Sequence, residues 1–235
     1  MASIAANLQA IRARIAQAAH RAGRQPDEIT LIAVSKTFAA ERVAEAHAAG
    51  QRAFGENFAQ EAVEKITKIA ELSGASRLHP LEWHFIGPLQ SNKTGLIAPR
   101  FQWVHSVERE KIAQRLHAAR PAELPPLNVC IQVNVSGEAS KSGVAPGEEE
   151  ALAEAIARLP KLKLRGLMAI PEPTSDGGLR RRRFGLLRES QSRLAARGYD
   201  LDVLSMGMSD DFEDAIAEGA TMVRIGSAIF GRRDP

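Results

Sequence analysis

The chain has 235 residues, of which 44% are hydrophobic and 25% charged, and its net charge is +3. That is enough apolar material for one full core, at a length where barrels of about 200–250 residues form a single domain. No apolar run reaches the roughly 18 residues of a membrane span, and a charge this small, with no nucleic-acid reading motif, predicts neither a membrane nor a nucleic-acid partner.

The opening segment, MASIAANLQAIRARIAQAAH, lacks the basic-then-apolar order of a secretion signal. It reads as a helix within residues 1–24, with Ile4, Leu8, Ile11 and Ile15 on one face, packed on the outside of the fold. A first strand is predicted at Leu31–Ser35, then a helix Glu41–Ala49 with an inner stripe of Val43, Ala46 and His47 and a stop at Gly50. Strand Ala53–Gly55 precedes helix Ala59–Leu72, whose stripe is Val63, Ile66 and Ile69, with Gly74 beyond it. Strand Trp83–Ile86 is followed by Leu89–Ile97, a short helix at most. Strand Phe101–His105 leads to helix Glu108–Ala119, ended by Pro121; strand Leu127–Val135 leads to helix Glu148–Leu159, ended by Pro160. Strand Leu164–Ile170 is followed by a loop, 171–178, and by helix Arg181–Arg197 with Gly198 as its stop. Strand Leu201–Ser205, helix Asp210–Glu218 with Gly219, and a last strand at Thr221–Phe230 complete the order. The run Arg180–Arg183 starts a helical pattern and reads as a solvated face. The single cysteine, Cys130, lies in the apolar run LNVCIQVNV and reads as core filling, compatible with a reducing cytoplasm.

Strands alternating with helices imply parallel pairing, because parallel neighbours need a crossover. Eight such units predict one α/β domain, residues 1–235, folded as a (β/α)8 TIM barrel with an extra N-terminal helix. The alternative is an open doubly wound sheet, but AVSKTFAAE after the first strand carries no glycine fingerprint.

Active residues of a (β/α)8 barrel lie at the C-terminal ends of its strands. Alternation puts Ile32, Val34 and Lys36 on one face, so Lys36 reaches the mouth if the other two fill the barrel. An amine beside apolar walls is more readily neutral and can attack an aldehyde; the competing reading is an ordinary lysine just past a strand. Loops after the seventh and eighth strands are the recurring phosphate site. Here they read Ser205-Met206-Gly207-Met208-Ser209 and Gly226-Ser227, with Ser209 equally able to be a simple helix cap and Gly226 a strand kink. Arg224 shares a face with Met222 and needs an acceptor, either a pyridine nitrogen or an acidic neighbour. Glu56-Asn57, His84, Asn134, Ser136 and the loop 136–143 are further polar strand ends, and His84 reads equally well as a structural histidine. His79 and His84 are too isolated for a zinc site, and no other metal-ligand spacing occurs.

The motifs AVSKT, FGENF, HFIGPLQSNK, NVSGEASKSG, GLMAI, LSMGMSDDFEDAI and VRIGSAIFG run in this order from about Leu31 to Gly231. In these the chain resembles the pyridoxal phosphate homeostasis protein family. The resemblance implies the barrel domain of fold-type III enzymes such as alanine racemase, and pyridoxal 5′-phosphate (PLP) held as a Schiff base on Lys36. It implies a phosphate cradle from Ser205–Ser209 with Gly226 and Ser227, Arg224 facing the pyridine nitrogen, and Asn57 near the ring or its hydroxyl. It implies a cytoplasmic carrier in PLP homeostasis with no established reaction, so no residue is assigned a catalytic role; apo PLP enzymes are the expected acceptors. A PLP-dependent racemase or lyase is the alternative. Racemases add a second domain that brings a catalytic tyrosine across a dimer. Here the only tyrosine, Tyr199, precedes the seventh strand, so a monomer and a non-enzyme are expected.

Overall fold

Most strands of this chain bury residues of both faces, and a helix covers each before the next parallel strand pairs. The computed structural model describes residues 3–73, 81–138 and 142–231. Its strands are β1 (Thr30–Val34), β2 (Ala53–Glu56), β3 (Glu82–Phe85), β4 (Trp103–Val107), β5 (Leu127–Gln132), β6 (Leu162–Met168), β7 (Val203–Ser205) and β8 (Met222–Ile225). They pair in parallel in sequence order, and β8 returns to β1 in the register Ile32 opposite Arg224. The fold is therefore a closed (β/α)8 TIM barrel and not an open sheet.

The covering helices are α1 (Ile4–Arg21), α2 (Ala40–Ala48), α3 (Ala59–Ser73), α4 (Thr94–Ile97), α5 (Glu110–Ala119), α6 (Glu149–Ala157), α7 (Gly177–Ala196), α8 (Phe212–Ala217) and α9 (Ser227–Phe230). Ser3 opens α1 by accepting from the Ala6 amide at 3.2 Å. The predicted stripe Ile4, Leu8, Ile11 and Ile15 is buried, and α1 lies against α2, α8 and α9. Lying between α8 and α2, it takes the eighth place in the outer ring; among the described residues only the single turn α9 follows β8.

Two predicted segments differ from the structure. The last strand, expected over Thr221–Phe230, ends at Ile225, and Ser227–Phe230 coils into α9. An apolar run of this kind does not by itself distinguish strand from helix. The run Arg180–Arg183 is not simply a solvated face. Arg180 and Arg181 both pair with Asp214 on α8, and Arg183 is buried with its guanidinium on Glu172. The acidic first turn of α8 attracts them. Gly74, His79, the middle of the 136–143 loop and the tail 232–235 lie outside the described residues.

Side-chain alternation divides the core in two. Odd or even positions facing outward join one large apolar layer under the helices. Those facing inward, including Ile32, Trp103, Cys130, Met168 and Met222, form a small separate cluster within the barrel. Toward the strand C-termini that interior turns polar, with His84, His105, Ser205 and Arg224 all buried.

Candidate functional site

A cavity of about 260 Å³ opens at the C-terminal ends of the strands. Val34, Lys36, Asn57, Ile86, Ser209, Arg224, Gly226 and Ser227 line it, together with Phe38, Ile170, Met208, Asp210 and Gly231. Six of the nine residues singled out from the sequence (Lys36, Asn57, Ser209, Arg224, Gly226 and Ser227) thus share one wall system. Ser205, Met206 and Gly207 do not line it.

Lys36 follows β1 with the alternation expected: Ile32 lies inside the barrel, Val34 on the cavity wall, and Lys36 half-buried above them. Both of its neighbours are clamped. The Ser35 hydroxyl donates to Glu56 Oε1 at 2.7 Å, and the Ser35 carbonyl accepts from Lys65 Nζ at 2.7 Å. The Thr37 amide donates to Glu61 Oε1 at 2.6 Å. Lys65 bridges Glu56 and Glu61 at 2.7 and 2.9 Å, closing the clamp. Burial raises the Glu56 carboxyl above the ordinary range, and the Lys65 ammonium works against that rise. Thr37 takes φ 67°, the left-handed region, which a β-branched residue occupies only under constraint. The clamp supplies it and so aims the Lys36 side chain.

The β7–α8 turn is built around Gly207, at φ 93°. A Cβ there would stand 2.7 Å from Ala215 Cβ and 2.9 Å from Phe212 Cα, so only glycine lets the turn close on α8. The Gly207 carbonyl accepts from the Arg224 amide at 2.9 Å, joining the turn to β8. Met206 is buried in the outer apolar layer and Ser205 inside the barrel. Ser209 does not cap α8: the cap position is Asp211, whose carboxylate accepts from the Met208 amide at 2.6 Å. Ser209 is left facing the cavity. Gly226 is the cap position of α9, not a kink within a strand, and Ser227 is the first residue of that turn.

Arg224 forms the cavity floor. Its Nη1 donates to Ser205 Oγ at 2.8 Å and its Nη2 to the Ala169 carbonyl at 2.8 Å. Burial lowers the guanidinium to about 10, with Asp211 opposing, so it remains charged at neutral pH. Asn57 Oδ1 is buried on the wall and meets no hydrogen-bond donor among the described residues. Asn134 and Ser136 stand outside the cavity, in a turn where Asn134 Oδ1 accepts from the Ser136 and Gly137 amides. Tyr199 packs against the outer apolar layer and does not reach the cavity.

A family model described as alanine racemase, N-terminal domain, matches residues 6–234. The pyridoxal phosphate homeostasis protein of Pseudomonas aeruginosa is 60% identical over 234 residues, covering 100% of this chain and 97% of its own. That of Escherichia coli strain K12 is 55% identical over 237 residues, covering 100% of this chain and 98% of its own. The chain belongs to the pyridoxal phosphate homeostasis protein family. Among solved structures, PipY of Synechococcus elongatus with PLP bound superposes at TM-score 0.82 and 33% identity, covering 97% of this chain and 100% of that one. Alanine racemase of Corynebacterium glutamicum superposes at 0.69 with 19% identity, over 96% of this chain and 62% of the racemase. This second likeness is one of fold.

Sequence reasoning about this homeostasis-family chain missed several residues that shape the site. Ile86 and Ile170 on the wall were read only as the last residues of their strands, Asp210 only as the start of a helix, and Phe38 was not singled out. The Glu56–Lys65–Glu61 clamp had one visible signal, the i,i+4 pair Glu61 and Lys65 on α3. His105 passed unremarked because nothing local distinguishes an inward from an outward histidine.

Proposed function

We propose that this chain binds PLP reversibly through Lys36 and acts in the cytoplasm as a monomeric PLP carrier or buffer, a single domain over residues 1–235, not as an enzyme. The observation that carries the reading is a half-buried lysine at the end of β1 sharing one cavity with Ser209, Gly226-Ser227 and Arg224. PLP would supply an aldehyde that condenses reversibly with an amine. The residues present fit it. Lys36 offers the amine. The Ser209 and Ser227 hydroxyls, with the Gly226 backbone, offer donors to a phosphate where this fold usually binds one. The Asn57 side chain brings an unpartnered buried polar atom to the wall, and Arg224 offers N–H donors to a ring acceptor. Ser205, Met206 and Gly207 would act from behind, by holding Arg224 and shaping the turn that presents Ser209.

The relatives named homeostasis proteins support this reading over a racemase or lyase, since their whole length matches this chain whereas the racemase matches over 62% of its own. Release to an apo PLP enzyme requires only that an incoming amine displace Lys36, with no further base from the protein. Borohydride reduction followed by intact-mass measurement tests the assignment: one PLP adduct is expected on the native chain and none on Lys36→Ala. An adduct of equal yield on the variant would move the covalent site elsewhere. Sustained turnover of any amino acid beyond one equivalent per site would overturn the non-enzymatic reading.

A further inference from the structure

Inside the barrel a file of buried polar side chains descends from the cavity floor to the opposite end. Arg224 Nη1 contacts Ser205 Oγ at 2.8 Å, Ser205 Oγ contacts His105 Nδ1 at 2.8 Å, and His105 Nε2 contacts His84 Nδ1 at 2.9 Å. His84 Nε2 then faces Glu82 Oε2 at 3.8 Å, and Glu82 Oε1 accepts from Trp103 Nε1. These residues come from β3, β4, β7 and β8, and all but Glu82 and its end of the file are fully enclosed.

The two ends decide which way every proton points. A guanidinium has donors only, so Ser205 must accept from Arg224. Its own proton is then free for His105 Nδ1. That leaves His105 donating from Nε2 to His84 Nδ1, and His84 carrying its proton on Nε2, toward the Glu82 carboxylate. The reverse order would set a bare His84 nitrogen against that carboxylate and leave the Ser205 hydroxyl accepting twice, its own proton without His105 as a partner. Burial keeps both imidazoles neutral, each with one proton to place. This arrangement pairs Arg224, Ser205, His105 and His84 Nδ1, and turns the His84 Nε2 proton, which makes no hydrogen bond among the described residues, toward the Glu82 carboxylate.

We propose that His105 and His84 are positioning residues that hold the Ser205 hydroxyl as an acceptor, pin Arg224 to the cavity floor, and so make the site selective for a ligand ring that carries a nitrogen acceptor. Ser205 and the Ala169 carbonyl each occupy one Arg224 amino group, so the guanidinium cannot turn, and its remaining N–H groups are left for the cavity. The inference rests on the PLP reading, since the pyridine nitrogen is the acceptor in question.

The test compares retention of PLP with retention of 1-deazapyridoxal 5′-phosphate, in which C–H replaces the ring nitrogen. Dialysis of the native chain, His105→Leu, His105→Asn and Ser205→Ala gives the ratios, with circular dichroism as the check on folding. The native chain is expected to hold PLP about tenfold longer, the scale of one hydrogen bond to a charged group. His105→Leu and Ser205→Ala should bring the ratio to about one while still giving the borohydride-trapped adduct. His105→Asn, whose Oδ1 can stand in for Nδ1, should restore most of the preference. A folded His105→Leu or Ser205→Ala chain with the native ratio overturns the relay, as does a native chain that holds both compounds equally. If His105→Leu fails to fold, the smaller change Ser205→Ala decides. A native chain that traps neither compound on Lys36 instead overturns the cofactor reading itself.

Discussion

Cys130 and Lys36 show how far one residue's chemistry depends on where its strand points it. Cys130 is enclosed within the barrel beside Ile32, Trp103 and Met168. Burial pushes its thiol up to about 12, leaving roughly one molecule in 10⁴ as thiolate at pH 8. Iodoacetamide at pH 8 is therefore expected to leave the folded chain unmodified and to add one equivalent in denaturant, as read by intact mass. Rapid labelling of the folded chain would mean that the barrel interior opens. Lys36 stands four strand positions beyond Ile32 on the same inward face and reaches the cavity. Its exit was legible because period-two alternation carries over a strand end. Ser205 was assigned to the phosphate cradle because it opens the segment Ser205–Ser209 after the seventh strand. The structure sets it deeper, under Arg224, since β7 has only three residues and its last one still points inward.

At the scale of elements, the ends of β7 and β8 matter most. They are brought together by the Arg224 amide donating to the Gly207 carbonyl, and Asn7 of α1 holds the turn after β8 by donating to the Ile229 carbonyl of α9 at 2.8 Å. Of the two residues that present hydroxyls, Ser209 is half-exposed and Ser227 exposed, so removing both hydroxyls should spare the barrel. Ser209→Ala combined with Ser227→Ala is expected to shorten PLP retention in dialysis by about tenfold or more, with an unchanged circular dichroism spectrum. Equal retention would place the phosphate elsewhere. Most helix limits were legible because glycine or proline ends them for backbone reasons: Gly50, Gly198 and Gly219 all take positive φ just beyond α2, α7 and α8. The α9 turn was not, because Ile-Gly-Ser-Ala-Ile-Phe offers the same apolar run to a strand and to a helix. The arginines of α7 were misjudged for a related reason, since Asp214, the partner of Arg180 and Arg181, lies 34 and 33 residues away, and Glu172, the partner of Arg183, lies 11 away.

For the whole molecule, a ligand held by the proposed residues would bridge the ends of strands β1, β2, β7 and β8, so its binding should stabilise the closed ring as a unit. At a PLP concentration 100 times the dissociation constant the gain is about 2.7 kcal/mol, which for a chain of this size raises Tm by roughly 5–10 °C. Differential scanning fluorimetry should show that rise for the native chain and a smaller one for Lys36→Ala. No rise in the native chain would mean that PLP does not select the folded state.

The sequence alone determined the class of fold, the order of its elements, and the inward path of Ile32, Val34 and Lys36, because periodicity and backbone stops are local properties. The tertiary structure decided which polar residues meet. The clamp of Glu56, Glu61 and Lys65 around Lys36, the replacement of an eighth outer helix by α1, and the file from Arg224 to Glu82 all join residues distant in the chain. They exist because the closed barrel sets β1 between β2 and β8 and turns alternate side chains of every strand toward one axis.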